Sequence, residues 1–250
     1  MKARFCFIFV AIVAVILPFL FSFFFRGWVA KYDSPDYSFA DIPSMYGKFV
    51  LVTGANTGIG FVTADQLAKK GATVLVASRS PAKGQEAVAQ INSKGYSGSA
   101  VFEQLDLASM KSVKEFSEAI IGKYARLDVL VLNAGVMMTP FSLTEDGLEL
   151  QMATNHFGHF LLVKLLENLI IKSKSRVVVV SSAAHEGSYP YSDGIDFSSF
   201  DNGNNYNPIF AYGQSKLANI LFSNKLARRL GDQGVISNSL HPGMIKTEVN

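Results

Sequence analysis

The sequence predicts an α/β fold: a doubly wound parallel sheet with helices on both faces, preceded by an N-terminal transmembrane helix. Three observations lead to this prediction. Short apolar runs alternate with longer amphipathic ones, a glycine-rich turn follows the first run, and residues 5–25 carry no charge. Strands that are apolar on both faces and alternate with helices are typical of parallel sheets covered on each side, and the nearest architecture is the Rossmann fold.

The uncharged segment near the N-terminus is long enough to cross a membrane. Residues 5–25 form 21 consecutive uncharged residues, close to the ~20 that a transmembrane helix needs. A cleaved signal peptide is the alternative, but it has a shorter apolar core and small residues at its cleavage site, whereas this segment ends in three phenylalanines. We therefore predict a membrane anchor over residues 1–25, a linker over residues 26–46 and one domain over residues 47–250.

Composition and charge exclude several classes of function. The net charge is +3, and no basic stripe with interleaved aromatic residues is present, so we predict no binding of nucleic acid. The only cysteine, Cys6, lies in the predicted anchor, so residues 47–250 cannot form a disulfide, in agreement with a reducing compartment. The four histidines lack ligand spacing with cysteine or carboxylate residues, and we predict no metal site.

Each element of the predicted sheet follows from a short apolar run or from an amphipathic stretch. Runs such as KFVLVT and RVVVVSS are rich in β-branched residues and apolar on both faces, which favours buried strands. Ser80 and Pro81 provide a cap and a first-turn proline for the second helix. In chain order, the predicted strands are 48–53, 72–78, 100–105, 127–133, 176–182 and 235–240. The predicted helices between them lie near 59–70, 82–94, 109–124, 146–172 and 211–230.

A glycine-rich turn, TGANTGIG, joins the first strand to the first helix. Its glycines allow the chain to turn tightly and to bring its backbone close to a pyrophosphate at the helix N-terminus. Glycines also serve plain structural turns, but the strand–turn–helix context favours nucleotide binding. The predicted phosphate-binding positions are Gly54, Asn56, Thr57, Gly58, Ile59 and Gly60.

The end of the second strand indicates which nucleotide is bound. Arg79 lies 19 residues after Gly60, and no acidic residue occurs between Gly71 and Gly84. NAD sites usually carry an acidic residue about 20 residues beyond the turn, whereas an arginine there accommodates the 2′-phosphate of NADP. A solvated surface arginine is the alternative interpretation. We predict NADP(H) as the cofactor.

One further pair, Tyr212 and Lys216, indicates proton-transfer chemistry. A spacing of four residues on a helix brings two side chains onto one face, although such a pair also arises by chance. A lysine charge ~4 Å from a phenol is worth on the order of 4 kcal/mol at an effective dielectric constant near 20. Such an energy can bring the pKa of a tyrosine from ~10 toward neutrality. The pair is therefore a candidate general acid and base.

With these motifs in place, the sequence resembles the short-chain dehydrogenase/reductase family over about residues 47–250. The glycine spacing is that of the family's classical type. Three further motifs follow the appropriate strands. Asp106 and Leu107 resemble the pair that meets the adenine ring, and Asn133, Ala134 and Gly135 resemble the family's NAG motif. Pro242, Gly243 and Thr247 resemble the turn and the threonine that hold the nicotinamide end.

The resemblance implies catalytic roles for four residues. Tyr212 is then the proton donor in reduction and the base in oxidation, while Lys216 lowers its pKa and holds the nicotinamide ribose. Ser182 hydrogen-bonds the substrate oxygen, so Ser182 and Tyr212 are the implied substrate contacts. Asn155, a residue type that is poor in helix interiors, helps to hold a water that links the lysine to solvent. A serine hydrolase is not indicated, because no Gly-x-Ser-x-Gly elbow surrounds Ser182.

Two departures from the family pattern concern the substrate. Ser182 and Tyr212 are 30 positions apart, more than the common spacing, and we expect the polar segment between them to loop out. The flanking sequences SSAAH and YGQSKLANILF resemble the retinol-dehydrogenase-like branch. The chain stops at Asn250, seven residues beyond Gly243, so we expect either that the chain is incomplete or that its site lacks the family's substrate-covering segment.

The resemblance and the anchor together imply a membrane-bound oxidoreductase that interconverts an alcohol with an aldehyde or ketone. The expected substrate is lipophilic, such as a retinoid, a sterol or a lipid aldehyde. We expect the membrane of the endoplasmic reticulum with the domain facing the cytosol, and a homo-oligomer by analogy of fold. The rival interpretation is a nucleotide-binding scaffold of the same fold that turns over nothing.

Overall fold

The computed structural model describes residues 37–189, 194–204, 206–243 and 245. The chain divides into two compact units, Met1–Asp41 and Ile42–Asn250. In the first, the described residues form a 3-10 turn over Phe39–Asp41, where Asp41 accepts hydrogen bonds from the amide and the hydroxyl of Ser38. The predicted anchor over residues 1–25 lies outside the described residues. Among the residues that are described, no helix has the length and apolar character needed to cross a bilayer.

The second unit alternates strands and helices along the chain, as the sequence predicts. Its strands are β1 Phe49–Thr53, β2 Thr73–Ser78, β3 Ser99–Gln104, β4 Val129–Leu132, β5 Arg176–Val180 and β6 Ile236–Leu240. Its α-helices are α1 Gly58–Lys69, α2 Pro81–Asn92, α3 Met110–Lys123, α4 Leu150–Met152, α5 Gly158–Ser173 and α6 Pro208–Leu230. A π-helix over Ala153–Phe157 joins α4 to α5, and short 3-10 turns cover Ala183–Gly187, Phe197–Ser199 and Gly231–Gln233.

The described strands form one parallel sheet with the order β3-β2-β1-β4-β5-β6. The first strand pairs with β2 on one side and with β4 on the other, so the direction of winding reverses there. Open α/β sheets bind ligands at such a switch point, outside the carboxyl ends of the strands. The predicted doubly wound α/β fold is confirmed.

Alternate residues of the central strands pack against helices on opposite sides of the sheet. Leu51 and Leu75 belong to the core that includes α3 and α5, whereas Val50 and Val74 belong to the core next to α1 and α2. All four side chains are fully buried. Each such side chain contributes about 1.5–3 kcal/mol through its removal from water. Burial on both faces is the reason that these strands are continuous apolar runs in the sequence.

The helix predicted over 146–172 begins later than expected. Residues 144–148 form a turn in which Gly147 adopts φ +74°, and the carboxylate of Glu149 then accepts hydrogen bonds from the amides of Gln151 and Met152. These contacts satisfy amides that the first helical turn leaves without an intrahelical partner. The prediction was wrong for residues 146–149, because the turn and the Glu149 cap place the helix start at Leu150.

Candidate active site

A cleft of about 650 Å³ opens where β1, β2, β4 and β5 end. Its volume lies within the ~300–1,000 Å³ that is usual for ligand pockets. Most residues that the sequence singles out line it, namely Gly54, Asn56, Thr57, Gly58, Ile59, Gly60, Arg79, Asp106, Leu107, Asn133, Ala134, Gly135, Ser182, Tyr212, Lys216, Pro242 and Gly243. Asn155 is buried beside the cleft without lining it, and Thr247 lies outside the described residues.

The glycine-rich turn is packed too closely to accommodate side chains. Gly54 adopts φ +65°, and a Cβ at Gly60 would lie 2.4 Å from the carbonyl oxygen of Gly54 and 2.5 Å from Nδ2 of Asn133. Helix α1 starts at Gly58, and the first amides of a helix, together with its dipole, favour an anion. The turn can therefore hold a phosphate group close to the backbone.

The segment after β4 is held against the end of β1 by Thr53. The Thr53 hydroxyl accepts hydrogen bonds from the amides of Asn133 at 2.9 Å and Ala134 at 3.0 Å. In return, Nδ2 of Asn133 donates to the carbonyl oxygen of Thr53 at 2.9 Å. Thr53 belongs to the glycine-rich motif but is not among the predicted site residues. Its buried hydroxyl fixes one wall of the cleft.

Another part of the cleft is formed by the segments after β2 and β3. Arg79 lines it and is exposed to solvent. Asp106 shapes its own loop, because its Oδ1 accepts a hydrogen bond from the amide of Ala108 at 2.9 Å. Leu107 packs against Gly158, where a Cβ would lie 2.3 Å from the Leu107 carbonyl oxygen. Helix α5 can therefore approach this segment only with glycine at its start.

Asn155 lies in the π-helix and connects two sides of the site. Its Oδ1 accepts a hydrogen bond from the Val136 amide at 2.8 Å. Its Nδ2 donates to the Val136 carbonyl oxygen at 3.0 Å and to Oγ of Ser215 at 2.9 Å. Such π-turns are rare and occur frequently at functional sites. Asn155 thus ties the loop after β4 to helix α6, a structural role beyond the water-holding role that the resemblance implies.

Tyr212 and Ser182 are hydrogen-bonded to each other in the cleft. Ser182 lies two residues beyond β5, and its Oγ also accepts a hydrogen bond from the amide of Ala184 at 3.2 Å. Burial raises the pKa of Tyr212, and the hydrogen bond with Ser182 opposes that rise. The phenol is therefore protonated at neutral pH.

Lys216 follows Tyr212 by one helical turn and is almost entirely buried. Its Nζ donates to the carbonyl oxygen of Val180 at 3.2 Å and lies 5.5 Å from the centroid of the Tyr212 ring. Burial lowers the pKa of Lys216 to about 8. The pKa of Tyr212 is raised overall, because burial of the phenol is the largest effect on it. This direction is opposite to the lowering that the resemblance implies.

The turn after β6 completes the cleft. Pro242 and Gly243 line it, together with His241 and Ile245, which are not among the predicted site residues. Gly243 adopts φ +89°, a left-handed conformation that favours glycine. Burial and the neighbouring charge of His185 lower the pKa of His241. This turn therefore adds a neutral imidazole to the wall at neutral pH.

A partly buried cluster that was not predicted surrounds Tyr206, which lies in the chain between Ser182 and Tyr212. Oη of Tyr206 accepts a hydrogen bond from Nε2 of Gln151 at 2.7 Å, and it lies 3.0 Å from the Thr139 carbonyl oxygen and 3.1 Å from Oε1 of Glu149. Burial raises the pKa of Glu149, and it raises that of Tyr206 to about 12. Tyr206 is 55 to 67 positions away from these partners and the spacing follows no period, so the sequence carries no signal of their contact.

The shape and the donor groups of the cleft fit a nicotinamide dinucleotide. The glycine turn leaves space for a phosphate where side chains could not be accommodated. Arg79 supplies a cation at the segment after β2, and Ser182, Tyr212 and Lys216 supply hydroxyl and ammonium groups after β5 and on α6. Proton-transfer groups thus share one cleft with a phosphate-binding turn, as a hydride-transfer reaction requires.

Comparison with known proteins leads to the same group of enzymes. The sequence matches the family described as short chain dehydrogenase over residues 48–198. Retinol dehydrogenase 14 from Mus musculus is 44% identical over 216 residues, which cover 82% of this chain and 63% of the relative. The chain therefore spans somewhat less than two thirds of the length of this curated relative.

Two solved structures show the same relationship at the level of the fold. An uncharacterised protein from Mycobacterium Paratuberculosis is 40% identical and has a TM-score of 0.72, covering 83% of this chain and 72% of that one. The active-site complex of Pseudomonas aeruginosa RhlG with NADP is 25% identical and has a TM-score of 0.65, covering 82% of this chain and 75% of that one.

Proposed function

The chain belongs to the short-chain dehydrogenase family, and on this premise we propose that it is an NADP(H)-dependent oxidoreductase of the retinol-dehydrogenase-like type. It interconverts an alcohol with its aldehyde or ketone. One observation carries the proposal: a glycine-rich phosphate cradle, Ser182, Tyr212 and Lys216 line a single cleft at the switch point of the sheet.

Tyr212 and Ser182 perform the proton chemistry in this proposal. When bound, the nicotinamide cofactor supplies the hydride that reduces the carbonyl carbon. Tyr212 donates its phenolic proton to the carbonyl oxygen, and in the oxidative direction the phenolate accepts the alcohol proton. Ser182 donates a hydrogen bond to the same oxygen and stabilises the charge that develops there. The burial that raises the Tyr212 pKa keeps the phenol protonated at neutral pH, which suits reduction.

Lys216 and Asn155 support this chemistry without donating to the substrate. The Val180 carbonyl holds the Lys216 ammonium at one place in the cleft, where we assign it to the ribose of the cofactor. Asn155 fixes the loop after β4 and the helix that carries Tyr212. The remaining cofactor contacts in the proposal are the glycine turn, the segments Asp106–Leu107 and Asn133–Gly135, and the turn at Pro242.

The preference for NADP(H) rests on Arg79. This arginine stands after β2, where the acidic residue of an NAD site is usually found. A guanidinium can bind the 2′-phosphate through two parallel hydrogen bonds, a geometry that lysine does not offer. The similarity to RhlG, which was solved with NADP, supports the same choice.

The proposed substrate is a lipophilic alcohol or carbonyl compound, such as a retinoid, a sterol or a lipid aldehyde. Part of the lining is apolar and includes Val136, Met137, Leu150 and Ile245. The similarity to a retinol dehydrogenase points to the same chemical class. The uncharged segment over residues 5–25 would hold the enzyme at the membrane in which such substrates dissolve. We place it in the endoplasmic reticulum with the domain facing the cytosol.

The variant Tyr212→Phe tests the proposal. We expect the wild type to consume NADPH with a panel of lipophilic aldehydes, and Tyr212→Phe to lose at least about 100-fold in kcat while it still binds NADPH. Turnover that survives the substitution would refute the proton-donor assignment. Tight NADPH binding by a wild type that reduces none of the aldehydes would favour the scaffold interpretation. Protection of the domain from added protease in intact microsomes would contradict the proposed orientation.

A further inference from the structure

A buried histidine, His159, lies between two walls of the cleft and has no role in the chemistry described above. Its Nε2 lies 2.8 Å from Oγ1 of Thr53, and its Nδ1 lies 3.0 Å from the carbonyl oxygen of Asn155. The residue is 1% exposed. Thr53 ends β1, whereas Asn155 belongs to the π-helix. One imidazole ring therefore contacts an element of each wall.

These contacts determine which nitrogen of the ring carries the proton. A carbonyl oxygen only accepts hydrogen bonds, so Nδ1 donates to Asn155, and Nε2 of the neutral ring is then an acceptor. The Thr53 hydroxyl consequently donates to Nε2 at 2.8 Å rather than to the more distant Val131 carbonyl oxygen at 3.4 Å. Burial keeps the ring neutral by lowering its pKa to about 3, and the charges of Lys216 and His156 act in the same direction.

The orientation of the Thr53 hydroxyl has a consequence for the nucleotide-binding wall. A hydroxyl has one hydrogen and two lone pairs. With the hydrogen directed at His159, the two lone pairs can accept hydrogen bonds from the amides of Asn133 and Ala134, at 2.9 and 3.0 Å. These two residues pack directly against the glycine turn at Gly54. The acceptor on His159 thus fixes the direction of the hydroxyl that holds this loop in place.

The second contact supports the π-helix. In this turn the Gly158 amide bonds to the carbonyl of Ala153, five residues earlier, instead of following the regular α-helical spacing of four. His159 adds a side-chain donor to the Asn155 carbonyl at this irregular turn. The Asn155 side chain in turn holds Val136 and the α6 helix. The ring therefore acts on both partners through hydrogen bonds with defined direction.

We propose that His159 is a positioning residue whose ring links Thr53 to Asn155 and thereby sets the nucleotide-binding loop relative to the helix that carries Tyr212 and Lys216. The catalytic consequence rests on the proposed function. The tautomer of the ring and its effect on nucleotide affinity do not depend on turnover.

Two variants separate hydrogen bonding from packing. His159→Gln retains one donor and one acceptor, whereas His159→Phe retains an aromatic ring and offers neither. We expect His159→Phe to raise the Kd for NADPH, measured by fluorescence titration, at least about tenfold and to lower kcat, because buried partners lose their hydrogen bonds. His159→Gln should recover most of both values. A ring that acts by packing alone would make His159→Phe the better tolerated variant, and that result would overturn the proposal.

A spectroscopic measurement on the wild type tests the proposal even if His159→Phe does not fold. Two-bond ¹H–¹⁵N spectra should show a protonated Nδ1 and an unprotonated Nε2 on His159, unchanged between about pH 8 and about pH 5. A protonated Nε2, or titration of the ring within this range, would contradict the proposed link. If the wild type shows this tautomer and binds NADPH but reduces no substrate, the proposed function fails while the positioning role of His159 stands.

Discussion

At the scale of single residues, burial decides the protonation state of the groups around the cleft. It raises the pKa of Tyr212 and lowers the pKa of Lys216 and of His159, and in each case the neutral form gains. The ammonium of Lys216, with a pKa of about 8, changes its charge close to neutral pH. Its charge state should therefore appear in the pH dependence of the enzyme.

We predict that kcat/KM for reduction falls as pH rises through about 8. The Lys216 pKa is lowered from 10.5 to about 8, so the ammonium is charged below this pH and neutral above it. The pH dependence of kcat/KM reports the pKa values of groups in the free enzyme. The decrease of kcat/KM on the alkaline side, the alkaline limb, should therefore follow the loss of charge on Lys216. Lys216→Arg stays charged throughout and should shift that limb upward, at a lower maximum rate. An alkaline limb with the same midpoint in both proteins would assign it to another group.

Cofactor preference is the second prediction at this scale. Arg79→Ala should raise the KM for NADPH by about tenfold or more, because a charge-assisted hydrogen bond is worth about 1.5–3 kcal/mol. The KM for NADH should change little, since NADH has no 2′-phosphate. Lys83→Ala removes an exposed charge that does not line the cleft and serves as the control. Equal effects of Arg79→Ala on both cofactors would remove the basis for NADP(H) preference.

At the scale of elements, the site depends on backbone segments that approach each other more closely than side chains allow. The glycine turn lies against the segment after β4, and α5 lies against the segment after β3. The π-helix between α4 and α5 places Asn155 within reach of both the β4 loop and α6. Each contact positions a whole element, so a single added methyl group can displace part of the cleft.

Gly60→Ala tests this close packing. The added Cβ would meet the Gly54 carbonyl oxygen and Asn133, so the turn must shift, and we expect a loss of about 1–3 kcal/mol in stability together with at least about tenfold weaker NADPH binding. Gly122→Ala in α3 is the matched control, because no atom lies within 4 Å of its added Cβ. That control should keep its nucleotide affinity and gain up to about 1 kcal/mol. Thermal unfolding measures the change in stability, and fluorescence titration measures the affinity for NADPH. An unchanged NADPH affinity of Gly60→Ala would show that the glycine turn does not bind the phosphates of the cofactor.

At the scale of the whole molecule, the sheet buries groups that must remain neutral for the fold to persist. His159 lies near the start of α5 and faces Thr53 at the end of β1 in the interior, and burial lowers the pKa of the neighbouring His156 as well. The unfolded chain can protonate these rings, whereas the folded chain resists protonation. Acid should therefore lower the free energy of unfolding of the entire domain.

We predict that the free energy of unfolding decreases as pH falls from about 6.5 toward 3. Between the ordinary histidine pKa of 6.5 and the folded value of about 3 for His159, the unfolded state binds a proton that the folded state does not. By about pH 5 this single group should cost about 2 kcal/mol. Urea unfolding at about pH 7 and about pH 5 should show a smaller loss for His159→Gln than for the wild type.

The control for this comparison is Lys83→Ala, which removes an exposed charge on α2 and leaves the histidines in place. Its loss of stability between the two pH values should match that of the wild type. An equal acid-induced loss in His159→Gln and wild type would show that the ring does not stay neutral in the folded protein.

Much of the architecture follows from local patterns. Apolar runs predict the ends of each described strand, and amphipathic stretches predict the ends of the long helices around the sheet, to within a few residues. The main difference is the helix expected from residue 146, which starts at Leu150. The glycine turn and the Tyr212–Lys216 pair could be identified because one directly follows a strand and the other spans one helical turn, whereas Ser182 was identified through the family resemblance. Their convergence on one edge follows from the parallel sheet, in which all strands end on the same side.

The sequence by itself thus determined the fold class, because periodicity along the chain is a local property, and its motifs together with the family resemblance predicted the candidate site residues. The tertiary structure alone decided the contacts of Thr53, His159 and Asn155, the cluster around Tyr206, and the upward direction of the Tyr212 pKa. Each of these depends on burial and on which distant residues become neighbours. Desolvation and hydrogen-bond partners are properties of the packed molecule, and no pattern along the chain records them.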